Sequence, residues 1–178
     1  MFDLLLRLNG DCPVRSVQGR LTANVAIENH TLSSDPSGQG MVDFTNGVVA
    51  YLLNSERGFE IDAVCEHDVL TALRNCKEWR LREVSGSDSR GRDVLTEGSF
   101  PAFDPADATH LLVDDLADAL DGSHPSRGGV QVARAGIELI FALIESHQRG
   151  GVRVEVPLAG SRYRLQRQIV PRQPRYVP

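Results

Sequence analysis

Lysine is nearly missing from this sequence. Lys77 is the only one among 19 basic residues, and 24 acidic residues outnumber them to leave a net charge of -5. The arginines are interleaved with acidic neighbours and form no basic stripe, which argues against a nucleic-acid partner. Long apolar runs are missing too. None approaches the roughly 18 residues of a membrane span. The opening Met1–Leu8 stretch is broken by Asp3 and Arg7, and no small-residue cleavage site follows, unlike a secretory signal. Cys12, Cys65 and Cys76 are too few and too scattered for a disulfide framework, and no CxxC pair occurs. Reduced thiols in a cytoplasm are the reading that follows. Neither nucleotide fingerprint is present, GxGxxG after a strand or GxxxxGK[ST], and there is no GxSxG elbow. The five histidines are dispersed. Cys65-Glu66-His67-Asp68 has metal-compatible side chains, but alternate residues of an extended segment point to opposite faces, so it reads as a strand end and no metal is expected. Asp114 and Asp115 diverge by about 100° on a helix and read as a solvated face.

The 41% hydrophobic content of these 178 residues suffices for a real core. Phe2 to Leu8 reads as a helix stopped by Asn9-Gly10, yet it has no N-cap residue ahead of it. Val14 to Ile27 suits one or two strands, and Thr31 to Gly38 a polar turn. Asn46-Gly47 lies between Met41–Thr45 and Val48–Leu53, which predicts a type I′ hairpin. Phe59, Ile61, Ala63 and Cys65 alternate with Glu60 and Asp62. Leu70–Leu73 and Trp79–Val84 add short strands, and Ser85–Ser99, without a period, reads as a mobile loop. Asp104-Pro105 predicts a cap and first turn for a helix carrying Leu112, Leu116, Ala119 and Leu120 to Gly122. A second helix over about Val130–Gln148 has a wide apolar face suited to packing across a sheet, and Gly150-Gly151 ends it. Val152, Val154 and Val156 predict a strand, and Tyr163–Ile169 a further one.

Strands first and helices mostly late predict an α+β fold. It is a mostly antiparallel open β-sheet with helices packed on one face and the other face available for dimerisation. Val49, Tyr51 and Leu53 oppose Val48, Ala50 and Leu52, so one strand is apolar on both sides, and a second subunit would bury the outer one. No boundary is visible within 1–170, and residues 171–178 form a Pro-rich tail. Catalytic residues are not visible from composition or spacing. The Gly122–Gly129 stretch, with Ser123, His124 and Arg127 ahead of a helix, offers either an anion site or a connection that needs Gly and Pro for its geometry. Asp3 and Arg7, one turn apart, read as an i,i+4 ion pair.

The ordered set Leu112–Gly122, Ala133–Ile140, Glu145-Ser146 and Val152–Leu158 resembles the end of the glucose–fructose oxidoreductase / inositol dehydrogenase (Gfo/Idh/MocA) family of NAD(P)-dependent oxidoreductases. Gly40–Tyr51 resembles that family's central hairpin, Arg57–Glu60 the start of the following strand, and Phe2–Asp11 the helix that opens its C-terminal domain. The resemblance implies a substrate and oligomerisation domain acting on a sugar or polyol, with Arg57, Phe59, Glu60, Ser123, His124 and Arg127 as substrate-contact candidates. Phe59 stands where inositol-type members can place a tyrosine. Cys65–Asp68 replaces a Gly-Glu-x-Gly turn.

The resemblance also implies what is not found in these residues. Relatives bind NAD or NADP on a Rossmann domain that carries a catalytic Lys in Glu-Lys-Pro. Their next helix carries Asp-x-x-x-His-x-x-Asp, of which Asp3 matches only the last, structural position. No cofactor site and no catalytic residue are therefore assigned to this chain. The expectation is a C-terminal dehydrogenase domain that is inactive alone and pairs with itself, as a homodimer or higher oligomer, or with a Rossmann-domain partner. The alternative is a free-standing, non-catalytic dimerisation or partner-binding module.

Overall fold

A computed structural model describes residues 2–22, 27–28, 31–32, 37–53, 59–103 and 107–160. They belong to two compact units, one of Met1–Asn54 with Arg127–Pro178 and the other of Ser55–Ser126. Every strand pairing among the described residues is antiparallel, in line with the α+β reading, but the strands divide between sheets where the sequence suggested one.

The first unit begins with helix α1 (Phe2–Leu8), followed by strand β1 (Val14–Leu21) and the short pair β2 (Ile27–Glu28) and β3 (Thr31–Leu32). Strands β4 (Gly38–Phe44) and β5 (Val49–Leu52) form its hairpin, and helix α3 (Val130–Gln148) and strand β10 (Val154–Glu155) close it. The sheet order is β10-β1-β4-β5. Alternation explains its inner face: Val17, Val42, Phe44 and Leu52 are buried against Leu139, Leu143 and Ile144 of α3. Full burial of each such side chain is worth about 1.5–3 kcal/mol.

The Asn46-Gly47 hairpin forms with a different turn from the expected type I′. Gly47 has a positive φ of 88° and Asn46 does not. Phe44 N–H bonds the Val48 carbonyl at 2.9 Å and Gly47 N–H the Phe44 carbonyl at 3.2 Å. That is a three-residue loop with glycine in the left-handed position. Asn46 is spared a positive φ because its Oδ1 accepts from Val48 N–H and its Nδ2 donates to Asn9 Oδ1.

Strand β1 is paired to β10 only at Ser16 and Val17. Beyond them its amides would be left without partners at the sheet edge, a costly state once buried. Helix α3 supplies them. Buried Ser146 Oγ accepts from Gly19 N–H at 2.9 Å and donates to the Val152 carbonyl at 2.6 Å. His147 Nδ1 accepts from Leu21 N–H at 3.3 Å. Helix and strand must approach closely for this, and glycine permits it. A Cβ on Gly19 would overlap the Gln39 carbonyl and Leu143, and one on Gly40 the Gln18 carbonyl. After the Gly150-Gly151 stop, Gln18 and Arg20 donate to the Gly151 and Gly150 carbonyls at 2.8 and 3.1 Å.

The second unit is a four-stranded meander, β6 (Ile61–Val64), β7 (Asp68–Leu73), β8 (Glu78–Ser87) and β9 (Asp93–Glu97), followed by helix α2 (Ala108–Leu120). Ser85–Ser99 is thus not the loop its composition suggested. Asp88 makes the turn: its carboxylate accepts from the amides of Arg90 and Arg92 and from the Arg92 guanidinium, and Gly91 takes a φ of 73°. The β7–β8 turn holds three consecutive non-glycine residues at positive φ, Arg74, Asn75 and Cys76. Each costs about 1 kcal/mol or more, asparagine least. The turn is held by Trp79 Nε1 donating to the Cys76 carbonyl at 3.0 Å, by Lys77 N–H donating to the Arg74 carbonyl at 3.4 Å and by a two-bond pairing of Asn75 with Phe59.

Helix α2 starts at Asp107, later than the Asp104-Pro105 reading, whose residues lie outside those described. The Asp107 carboxylate reaches Thr109 and His110 amides and so fixes the first turn. The strand read over Val152–Val156 is reduced to Val154–Glu155, and the one read over Tyr163–Ile169, like the 171–178 tail, lies outside the described residues. Arg7 pairs with Asp11 at 3.3 Å instead of Asp3.

Ser146→Ala, which orphans the Gly19 amide, is expected to cost about 1–3 kcal/mol. Gly19→Ala is expected to cost about 1–3 kcal/mol by overpacking. Urea unfolding followed by far-UV circular dichroism measures both. A Ser146→Ala protein as stable as wild type would show that the helix does not complete the strand edge.

Candidate functional site

Phe59 and Glu60 enter the second unit just ahead of β6. Phe59 is half-buried and Glu60 is exposed. The backbone of Phe59 is held from both sides: its N–H donates to Asn75 Oδ1 at 3.0 Å, and its carbonyl accepts from Asn75 N–H at 3.2 Å. This two-bond ring ties Phe59 to the β7–β8 turn. An exposed carboxylate can accept hydroxyl hydrogen bonds, and a half-buried aromatic ring can offer an apolar face to C–H groups. Arg57, the third candidate of this stretch, lies outside the described residues.

The stretch from Gly122 is knit into the end of α2. Ser123 N–H bonds the Asp118 carbonyl at 2.9 Å, and His124 Nε2 lies 3.6 Å from Asp118 Oδ2. Ser126 Oγ donates to Asp115 Oδ2 at 2.7 Å. Thus Asp115, which with Asp114 read as a plain solvated face, anchors the connection together with Asp118. Ser123 and His124 belong to the second unit and Arg127 to the first. The Arg127 carbonyl accepts from the Arg7 guanidinium. Asp3, the structural position in the resemblance, is exposed on α1.

The described residues include no group of three His, Cys, Asp or Glu side chains able to hold a metal ion. Cys65–Asp68 makes a tight turn even without the glycines of the family pattern. Cys65 N–H bonds the Asp68 carbonyl at 2.8 Å, and the strands pair in register from Val64 opposite Val69. Three polar groupings gave no sign in the sequence because their members are far apart in it. Asp43 of β4 receives both Ser16 Oγ, at 2.9 Å, and the Arg153 guanidinium. Arg80 of β8 binds Glu97 of β9; the Arg80 hydrogen bond holds the Glu97 carboxyl below its usual range and Glu97 raises the guanidinium. Asn75 is the third, and its only local signal is an asparagine at the junction of two strands.

The outer face of the first unit's sheet is open. Tyr51 and Leu53 are 71% and 82% exposed. They flank a shallow groove of about 370 Å³ that Gln18, Arg20, Gln39 and Met41 also line. Among the described residues no helix is long and apolar enough to cross a membrane.

Neither a protein-family model nor a curated protein matches the sequence. Solved structures do match the fold. The WlbA dehydrogenase from Bordetella pertussis, in complex with NADH and UDP-GlcNAcA, superposes with a TM-score of 0.56 at 19% identity over 88% of this chain and 42% of its own. An NAD-binding protein from Listeria innocua gives 0.57 at 14% identity over 86% of this chain and 44% of its own. The chain therefore spans less than half the length of either. At these identities the likeness establishes the fold alone, in agreement with the fold that the resemblance drawn from the sequence implies.

The Asp107 cap generates a pH signature in α2, the helix that carries the Ser123–His124 turn. Hydrogen bonds from the Thr109 and His110 amides hold this carboxyl below its ordinary 3.8. Its stabilising contribution is complete above that ordinary value and is lost as pH falls through the lower folded-state value. Acid titration followed by amide NMR of residues 108–111 should show α2 fraying in that window. Asp107→Asn, which caps without ionising, should remove this component; an unchanged acid transition in the variant would show that the cap is not its source.

Proposed function

We propose that this chain is the substrate-side and subunit-contact part of an NAD(P)-dependent oxidoreductase of the Gfo/Idh/MocA type acting on a sugar or polyol. The observation that carries the reading is the conjunction of fold and fingerprint. The fold follows proteins that bind NAD, and one of them is described in complex with NADH and a nucleotide sugar. Yet no Gly-rich dinucleotide loop of the GxGxxG kind lies within the 178 residues. In this reading the nucleotide is held by a Rossmann domain outside this sequence, either covalently continuous with it or a separate partner. Hydride transfer then takes place on that side, with the proton acceptor for the substrate hydroxyl supplied there. By itself the chain turns nothing over.

Its own contribution is recognition. Phe59 presents a ring to the C–H face of a sugar and Glu60 accepts from hydroxyls, with Arg57, two positions ahead of Phe59 in the sequence, as a further candidate. Ser123 and His124, at the end of α2, are a second set of polar contacts. Reaction at a secondary alcohol needs such orienting contacts to bring one carbinol hydrogen within reach of a nicotinamide.

A second reading is a non-catalytic module that pairs through the open sheet. Exposed Tyr51 and Leu53 on a strand whose inner face is already buried favour it, because an aromatic and aliphatic surface on a flat sheet is covered most readily by another flat sheet. The two readings differ in whether a nucleotide-binding domain and the sugar contacts are used.

Fluorescence titration of the 178-residue chain with NADH and NADPH is expected to give no saturable binding up to the millimolar range. Binding in the micromolar range would place a nucleotide site within this sequence and overturn the division of labour. Sedimentation equilibrium tests the sheet surface. The wild-type chain should self-associate and Tyr51→Arg combined with Leu53→Arg should not; identical monomers for both would dismiss the pairing.

A further inference from the structure

The Arg74–Cys76 turn is strained, and the strain has an obvious remedy that the sequence does not use. Glycine would relieve each position with positive φ; arginine, asparagine and cysteine stand there instead, with φ values of 51°, 57° and 63°. Asn75, the middle one, is the residue type that best tolerates this conformation. It is also the residue that closes the ring with Phe59: its Oδ1 takes the Phe59 N–H and its own N–H reaches the Phe59 carbonyl, at 3.0 and 3.2 Å. The second bond needs only backbone and would survive a glycine. The first needs the side-chain carbonyl. The neighbouring anchor, Trp79 Nε1 on the Cys76 carbonyl, fixes the turn itself and not Phe59. Phe59 lies before the first paired residue of the sheet, Ile61, so the ladder does not fix it.

We infer that Asn75 is a positioning residue for substrate recognition: by accepting from the Phe59 amide it sets the Phe59–Glu60 segment in the conformation that meets the sugar. This rests on the proposed role of Phe59 and Glu60. Backbone strain retained at a place where glycine would be cheaper, and held by a bond to the recognition segment, is the pattern expected where local geometry is kept for binding.

The test compares the full chain with Asn75→Gly and Asn75→Asp. Glycine removes the acceptor and relieves the turn; aspartate keeps an acceptor. A purely structural role predicts that Asn75→Gly melts at or above the wild-type temperature and changes nothing else. The positioning role predicts the same melting temperature, together with Phe59 amide hydrogen exchange faster by about tenfold, as for a lost local protecting bond. Affinity for UDP-GlcNAcA, glucose or myo-inositol, whichever the wild type binds best by calorimetry, should fall by about tenfold. Asn75→Asp should restore both. Unchanged Phe59 exchange in Asn75→Gly, or faster exchange with unchanged affinity, overturns the inference. If the wild type binds none of the three compounds while Phe59 exchange responds as expected, it is the sugar-binding reading of Phe59 and Glu60 that fails, and the assignment of Asn75 to recognition falls with it.

Discussion

One edge governs the first unit. Strand β1 runs past its partner β10, and the amides of Gly19 and Leu21 would be orphaned there. Ser146 and His147, on the last turn of α3, take their place. A helix can act as the missing strand only if its axis comes close to the backbone, and Gly19 of β1 and Gly38 of β4, each against the Leu143 side chain of α3, leave that space. The buried layer of Val17, Val42, Phe44, Leu139 and Ile144 follows from this approach. Hydrophobic burial alone would hold α3 somewhere on the sheet; the polar bonds to β1 choose the register.

With the inner face so occupied, the sheet presents Val49, Tyr51 and Leu53 outward. The division of labour between the units follows the same logic. The first has a layered core and exposes Tyr51 and Leu53. The second is a thin meander whose order comes from polar turns: Asp88 at one hairpin, Asn75 at another, Asp107 at its helix.

Much of this was legible in the residues. Helical periodicity placed α3 at Val130–Gln148, and Asn9-Gly10 marked the end of α1, because long apolar stripes and glycine stops are local signals. Alternation along Val49–Leu52 foretold a strand with two apolar faces. Turn chemistry was less readable. Asn46-Gly47 was seen as a hairpin but of the wrong turn type, since the bond from Asn46 to Asn9 is made across 37 residues. Ser85–Ser99 looked structureless because Asp88 organises it through side-chain bonds that leave no periodicity. Asp104 was read as the cap where Asp107 is, both being acceptable cap residues ahead of the same helix. The candidate site was legible only in part. Phe59 and Glu60 were named from resemblance, whereas Asn75 is joined to them by folding alone. Nor does the sequence show a boundary near residues 54 and 127, where the chain passes between the units.

The central claim is that these residues recognise a sugar and leave the nucleotide to others. Two-dimensional amide NMR of the isotope-labelled chain, titrated separately with UDP-GlcNAcA and with NADH, tests it most directly. The account predicts saturable shifts with the nucleotide sugar at Phe59, Glu60 and the Ser123–His124 turn, and no saturable shifts with NADH. Saturable NADH shifts within the chain, or sugar shifts confined to residues away from those four, would contradict it.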